Sequence, residues 1–129
     1  AMIPVNISGD LQRPTASFGV DPEKPEKACL GGLAVHELSN AMMRPVWSIE
    51  ARGRDCRALK QVVYGQALEG FGTEVPAAPL KPGVRYVVVG YGVTRGLSRV
   101  PWRGGGDFIF EKGQWRPAAG SAVTVEQAP

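Results

Sequence analysis

Leu80-Lys81-Pro82-Gly83-Val84-Arg85-Tyr86-Val87-Val88-Val89 is the stretch whose reading decides the fold. Pro82-Gly83 marks a turn, and the run from Tyr86 through Val93 is rich in β-branched and aromatic residues, so a strand is expected to follow the turn directly. A tyrosine at such a strand start can hydrogen-bond back to the backbone just upstream and pin the corner. Alternation along a strand puts Tyr86 and Val88 on one face and Val87, Val89 and Tyr91 on the other. Both faces are apolar, so the outer face too calls for a cover: the N-terminal segment, the added C-terminal hairpin, or a partner chain.

Outward from this stretch, short apolar runs alternate with turn signals along all 129 residues. Leu30–Leu38 carries Leu33 and Val35 at period two. Pro45–Arg52 sets Trp47, Ile49 and Ala51 against Ser48 and Glu50. Leu59–Gly65 and Thr73–Val75 read as strands, and Pro76 and Pro79 keep the next stretch out of central pairing. Phe108–Glu111 and Gln114–Arg116 flank Lys112-Gly113, a two-residue hairpin turn. Ser121, Val123 and Val125 suggest a last strand, and only Leu38–Met43 or Asp55–Gln61 has room for a brief helix. The 17 glycines and 11 prolines, scattered between these runs, suit turns rather than helices. The expectation is an all-β antiparallel sandwich of about seven to nine strands spanning residues 28–129. Residues 1–27, with Pro4, Pro14, Pro22 and Pro25, read as an extended segment or tether in which Val5 and Ile7 allow a short strand.

Residues 44–93 resemble the middle of a fibronectin type III or related immunoglobulin-like module. The resemblance rests on Trp47 in an early strand, Tyr64 in a middle one, and Leu80-x-Pro82-Gly83-x-x-Tyr86 before a long one. It implies architecture and no ligand. The chain departs from that pattern in its length, its two cysteines and its added C-terminal hairpin. Arg52-Gly53-Arg54-Asp55 is not an integrin-binding Arg-Gly-Asp, because Arg54 interrupts it.

Composition bounds the chemistry. With 21% charged and 43% hydrophobic residues the chain is an ordinary globular one, and no run approaches the roughly 18 apolar residues of a membrane span. Ala1-Met2 reads as a remnant ahead of a trimmed mature chain, which leaves export open. Cys29 and Cys56 are expected to form a disulfide in an oxidising compartment, worth about 3–4 kcal/mol in the chain-entropy picture. No Cys-x-x-Cys is present to suggest a thioredoxin-like role.

His36 is the single histidine, so no histidine-rich metal site is possible, and no cofactor is expected. It is expected to be a half-exposed strand residue beside Glu37. No Gly-x-Ser-x-Gly elbow or Walker sequence occurs. Gly90-Tyr91-Gly92 lacks the helix a dinucleotide loop needs and reads instead as a strand bend or bulge. Glu50, Asp55, Glu69, Glu74, Asp107 and Glu111 show no pairing suited to glycoside hydrolysis.

Charge points to binding instead. The net charge of +3 is uneven: residues 1–43 hold three basic and five acidic side chains, residues 44–129 twelve and seven. No acid lies between Arg85 and Arg103. Arg95, Arg99, Trp102 and Arg103 form the candidate binding loop, offering guanidinium charge beside a flat indole. Such a loop suits an anionic glycan, a lipid headgroup or another envelope protein, and the lack of a recognition helix argues against sequence-specific nucleic acid. The favoured reading is a non-catalytic binding or structural module of the bacterial envelope, extracytoplasmic, as the soluble part of a small lipoprotein. An inhibitor or assembly factor docking on another exported protein is the alternative, and a small hydrolase a distant third.

Overall fold

The computed structural model describes residues 5–18, 28–53, 61–94 and 101–118. Nine strands occupy them: β1 (Val5–Ser8), β2 (Thr15–Phe18), β3 (Ala28–Ser39), β4 (Met42–Ala51), β5 (Gln61–Val63), β6 (Phe71–Val75), β7 (Arg85–Thr94), β8 (Pro101–Glu111) and β9 (Gln114–Pro117). They form two antiparallel sheets, one of three strands in the order β1-β2-β5 and one of six in the order β6-β4-β3-β7-β8-β9. The all-β sandwich expected from the sequence is the architecture found. No helix among the described residues is long and apolar enough to cross a membrane.

Period-two alternation builds the core. Leu33 and Val35 of β3, Trp47 and Ile49 of β4, Tyr86 and Val88 of β7 and Phe108 of β8 share the inner face of the large sheet. Val5, Ala16, Phe18 and Val62 of the small sheet pack against them. The chain's own beginning thus covers the inner face of β7, that of Tyr86 and Val88, and not the outer face of Val87, Val89 and Tyr91, where Tyr91 is 39% exposed. Residues 5–18, expected within a Pro-rich segment, are two paired strands of the sandwich itself.

The corner before β7 takes the expected form. Tyr86 is 1% exposed, and its hydroxyl accepts a hydrogen bond from the Lys81 N–H at 2.8 Å. Gly83 turns the chain with φ +76°, a conformation glycine adopts without steric cost, and donates its N–H to the Phe110 carbonyl at 2.9 Å. The Gln12 side chain then clamps Leu80, donating to its carbonyl (2.8 Å) and accepting from its N–H (3.2 Å). Tyr64 ties the neighbouring loop: its hydroxyl donates to the Ala78 carbonyl at 2.7 Å, with the Val46 carbonyl at 3.2 Å. Its ring packs on Trp47 with centroids 5.1 Å apart.

Two expectations change. Leu38–Met43 is not a helix but the tip of the β3–β4 hairpin, with Ser39 opposite Met42 across a two-residue turn. Asn40 and Ala41 sit at φ 50° and 66°, the paired left-handed geometry that matches strand twist. Asn tolerates this conformation and Ala does so at a cost. The second exception is β8, which begins at Pro101 rather than Phe108, so Gly104-Gly105-Gly106 are strand residues paired with Gly90, Val89 and Val88. The strand expected at Ser121–Val125 and all of the stretch Asp55–Gln61 except Gln61, which begins β5, lie outside the described residues.

Two substitutions test these local arguments by urea unfolding. Tyr86→Phe keeps the ring and removes the acceptor for Lys81, and should cost about 1–2 kcal/mol; an unchanged midpoint would mean the corner bond contributes nothing. Ala41→Gly relieves the left-handed Cβ and should stabilise by about 1 kcal/mol, provided glycine's extra freedom when unfolded does not cancel the gain. A loss of stability would refute strain at that turn.

Candidate functional site

Of the expected binding loop, the structure describes Trp102 and Arg103. Arg95 and Arg99 lie outside the described residues, as does Cys56. Trp102 and Arg103 are consecutive residues of β8 and so point to opposite faces. Trp102 is buried, 3% exposed, with its indole N–H donated to the Cys29 carbonyl at 3.0 Å and its ring 5.8 Å from that of Phe18. It is therefore corrected from a binding residue to a core residue. Arg103 is exposed on the outer face of the large sheet.

Glycine on β7 and β8 explains why the indole goes inward. Gly90 and Gly92 leave the inner face of β7 bare; a Cβ at Gly90 would meet the Phe18 ring at 2.8 Å, and one at Gly92 would fall on the Cys29 carbonyl oxygen. Phe18 occupies the ground a side chain at Gly90 would have taken, and the β3 backbone at Cys29 that of one at Gly92, with Trp102 directly opposite Gly92 on β8. The bulge expected at Gly90–Gly92 is in the facing strand, between Leu30 and Gly32 of β3. Cys29 itself is fully buried.

On the outer face the same device recurs in solvent. Gly72 of β6 stands opposite Glu50 of β4, Glu50 opposite Gly32 of β3, Gly32 opposite Tyr91 of β7, and Tyr91 opposite Arg103 of β8. One line of residues thus crosses five strands. Tyr91 leans across β3 and donates its hydroxyl to Glu50 Oε1. It can do so because position 32 is glycine: a Cβ there would collide with the phenol, ring atom Cε1 included at 2.7 Å. The Arg52 side chain lies over Gly72 in the same way, its Nε 3.4 Å from where a Cβ would stand. Tyr91 remains 39% exposed, and Glu50, Arg52, Glu74 and Arg103 are exposed around it.

This row was missed in the sequence, where Glu50 reads as a lone surface acid and Tyr91 as one apolar position among several. The available signal was the pair of glycines, Gly32 and Gly72, inside otherwise regular strands; an isolated strand glycine marks a close approach by another group. Which group approaches depends on register, and register is set by the bulges in β3 and β4.

The other candidates occupy separate places. His36 lies on β3 opposite Val87 and Pro45, half-buried, with Nδ1 buried and without a hydrogen-bond partner. Among the described residues no cluster of three or more His, Cys, Asp or Glu side chains could hold a metal ion. Asp107, on the outer face of β8, is buried, and burial raises its pKa while the charge of Arg85 lowers it. Met42 and Met43, 74% and 50% exposed, project from the β3–β4 tip beside the Arg44–Glu37 ion pair. No family model, curated protein or solved structure matches this chain.

All three tyrosines of the chain resist ionisation. Burial, with the Tyr86 phenol nearby, pushes Tyr64 up to about 12. Burial raises Tyr86 above its ordinary 10.0. Burial, then the hydrogen bond to Glu50 and the charges of Glu50 and Glu74, raise Tyr91 to about 12. A phenol whose pKa is higher in the folded state holds its proton more tightly there. The associated stability is complete below about pH 10 and is lost as pH rises through about 12. Phenolate absorbance should therefore stay low at about pH 10.5 in the native chain, while the urea-unfolded chain is more than half ionised. Superimposed native and unfolded titrations would refute the buried and Glu50-bound settings of these hydroxyls.

Proposed function

We propose that this chain is a non-catalytic binding or structural module of the bacterial cell envelope, the soluble part of a small lipoprotein. The observation that carries the reading is the exposed Glu50–Tyr91–Arg103 row, an aromatic ring held in place on a rigid sheet and flanked by donors and acceptors. Rings fixed on strands bind at low entropic cost, because little side-chain freedom remains to be lost. Arg103, from the expected basic loop, contributes to this surface. The Leu80–Tyr86 corner and the Trp47–Tyr64 contact support a relationship to immunoglobulin-like or fibronectin type III-like modules.

Export and a Cys29–Cys56 disulfide belong to the same proposal, since such bonds persist in oxidising compartments. A second reading, an inhibitor or assembly factor docking on another exported protein, is favoured by the exposed Met42–Met43 tip, which offers adaptable apolar side chains to a partner surface.

The test is co-sedimentation of the purified chain with washed bacterial envelopes, alongside mass measurement without reductant. Binding that falls at least about tenfold in a Tyr91→Ala, Arg103→Ala double variant, with a mass lower by two hydrogens, supports the proposal. Absence of sedimentation overturns the binding reading, and two free thiols after oxidative purification overturn the disulfide.

A further inference from the structure

We propose that the outer-face row centred on Tyr91 is a binding subsite for an uncharged saccharide chain, an inference that rests on the binding-module reading and names its ligand class. Charge selects the class. Among the described residues of the row, Arg52 and Arg103 are balanced by Glu50 and Glu74, so the groups flanking the ring carry no net charge. A phosphate polymer or anionic headgroup needs a surplus of cations, which this row lacks. A cationic ligand would meet the two arginines.

A polyhydroxylated ligand uses every group present. Hydroxyls donate to Glu50 and Glu74 and accept from the guanidinium groups, while a sugar's apolar C–H face lies on the aromatic ring. The shape agrees. Gly72 and Gly32 let the Arg52 side chain and the Tyr91 ring lie low on the sheet, and Ser48, Ala34 and Gly105 are small beside Val89 in the neighbouring outer row. Five strands set side by side give a shallow track about 19 Å long, enough for several pyranose units lying across the sheet.

The ring is also pre-positioned. Tyr91 is tied at one end by its own strand and at the other by Glu50, over a glycine that leaves room for it. Gly32 is therefore a positioning residue: a methyl group there would lift the ring without removing any donor or acceptor.

Native electrophoresis in gels containing dextran, hydroxyethyl cellulose, galactomannan or mixed-linkage glucan tests the proposal, with polygalacturonate and heparin as charged comparisons. The expected result is retardation by at least one neutral polymer. Tyr91→Ala should weaken it at least about tenfold, Gly32→Ala should weaken it in the same direction, and Tyr91→Phe should keep most of it. Near-UV circular dichroism checks that each variant is folded, and Tyr91→Ala, a surface change, carries the test if Gly32→Ala is not. Retardation by none of the neutral polymers, by charged polymers alone, or equally in wild type and Tyr91→Ala overturns the inference. If envelopes still sediment the chain in a Tyr91-dependent way, the saccharide has failed and the binding module stands; if sedimentation fails too, both fall.

Discussion

The hydrogen bond from the Lys81 N–H to the Tyr86 hydroxyl is the constraint on which the other contacts depend. It fixes where β7 begins, and β7 pairs with both β3 and β8 at the centre of the large sheet. With the start of β7 fixed, Tyr86 and Val88 must face the small sheet, and Val87, Val89 and Tyr91 must face outward. The Tyr86 ring also meets Trp115 of β9 at 6.0 Å, joining the corner to the far edge of the sheet. Gln12 binds the backbone of Leu80 from the opposite layer, so the corner is held from both sheets.

A second regularity is aromatic cover of strand glycines. Phe18 lies against Gly90, Trp102 reaches past Gly92 to the Cys29 carbonyl, and Tyr91 spans Gly32 to reach Glu50. The first two arrangements fill the core. The third uses the same geometry on the wet side, where polar residues rather than apolar ones surround the ring. Whether the aromatic fills the core or lies exposed among polar groups thus depends on which face of the sheet it is on.

The parts of the fold that depend on local pattern were legible. Leu33 and Val35, Trp47 and Ile49, and Tyr86 and Val88 alternate as strands with a buried face should, and all six are buried. Lys112-Gly113 adopts the expected hairpin turn, with φ 54° and 78°. The parts that depend on long-range pairing were not. Gly104-Gly105-Gly106 has the composition of a loop and becomes strand because β7 supplies partners. Residues 15–18 carry little strand signal and are ordered by β1 on one side and β5 on the other. Trp102 and Arg103 looked like one surface because they are adjacent in sequence, and strand geometry separates them.

The tie between Trp115 and Asp10 has a consequence for when this chain can fold. The indole N–H donates to the Asp10 carbonyl at 2.8 Å, closing a span that runs almost the length of the described chain. The first hairpin cannot complete its burial until β8 and β9 exist, because Phe108 and Trp115 belong to the core it covers. During synthesis the early strands therefore leave the ribosome without their permanent neighbours, and the non-local pairings form late and slowly. A polypeptide wired in this order stays unfolded for most of its synthesis, a state that a helical protein with local contacts leaves early.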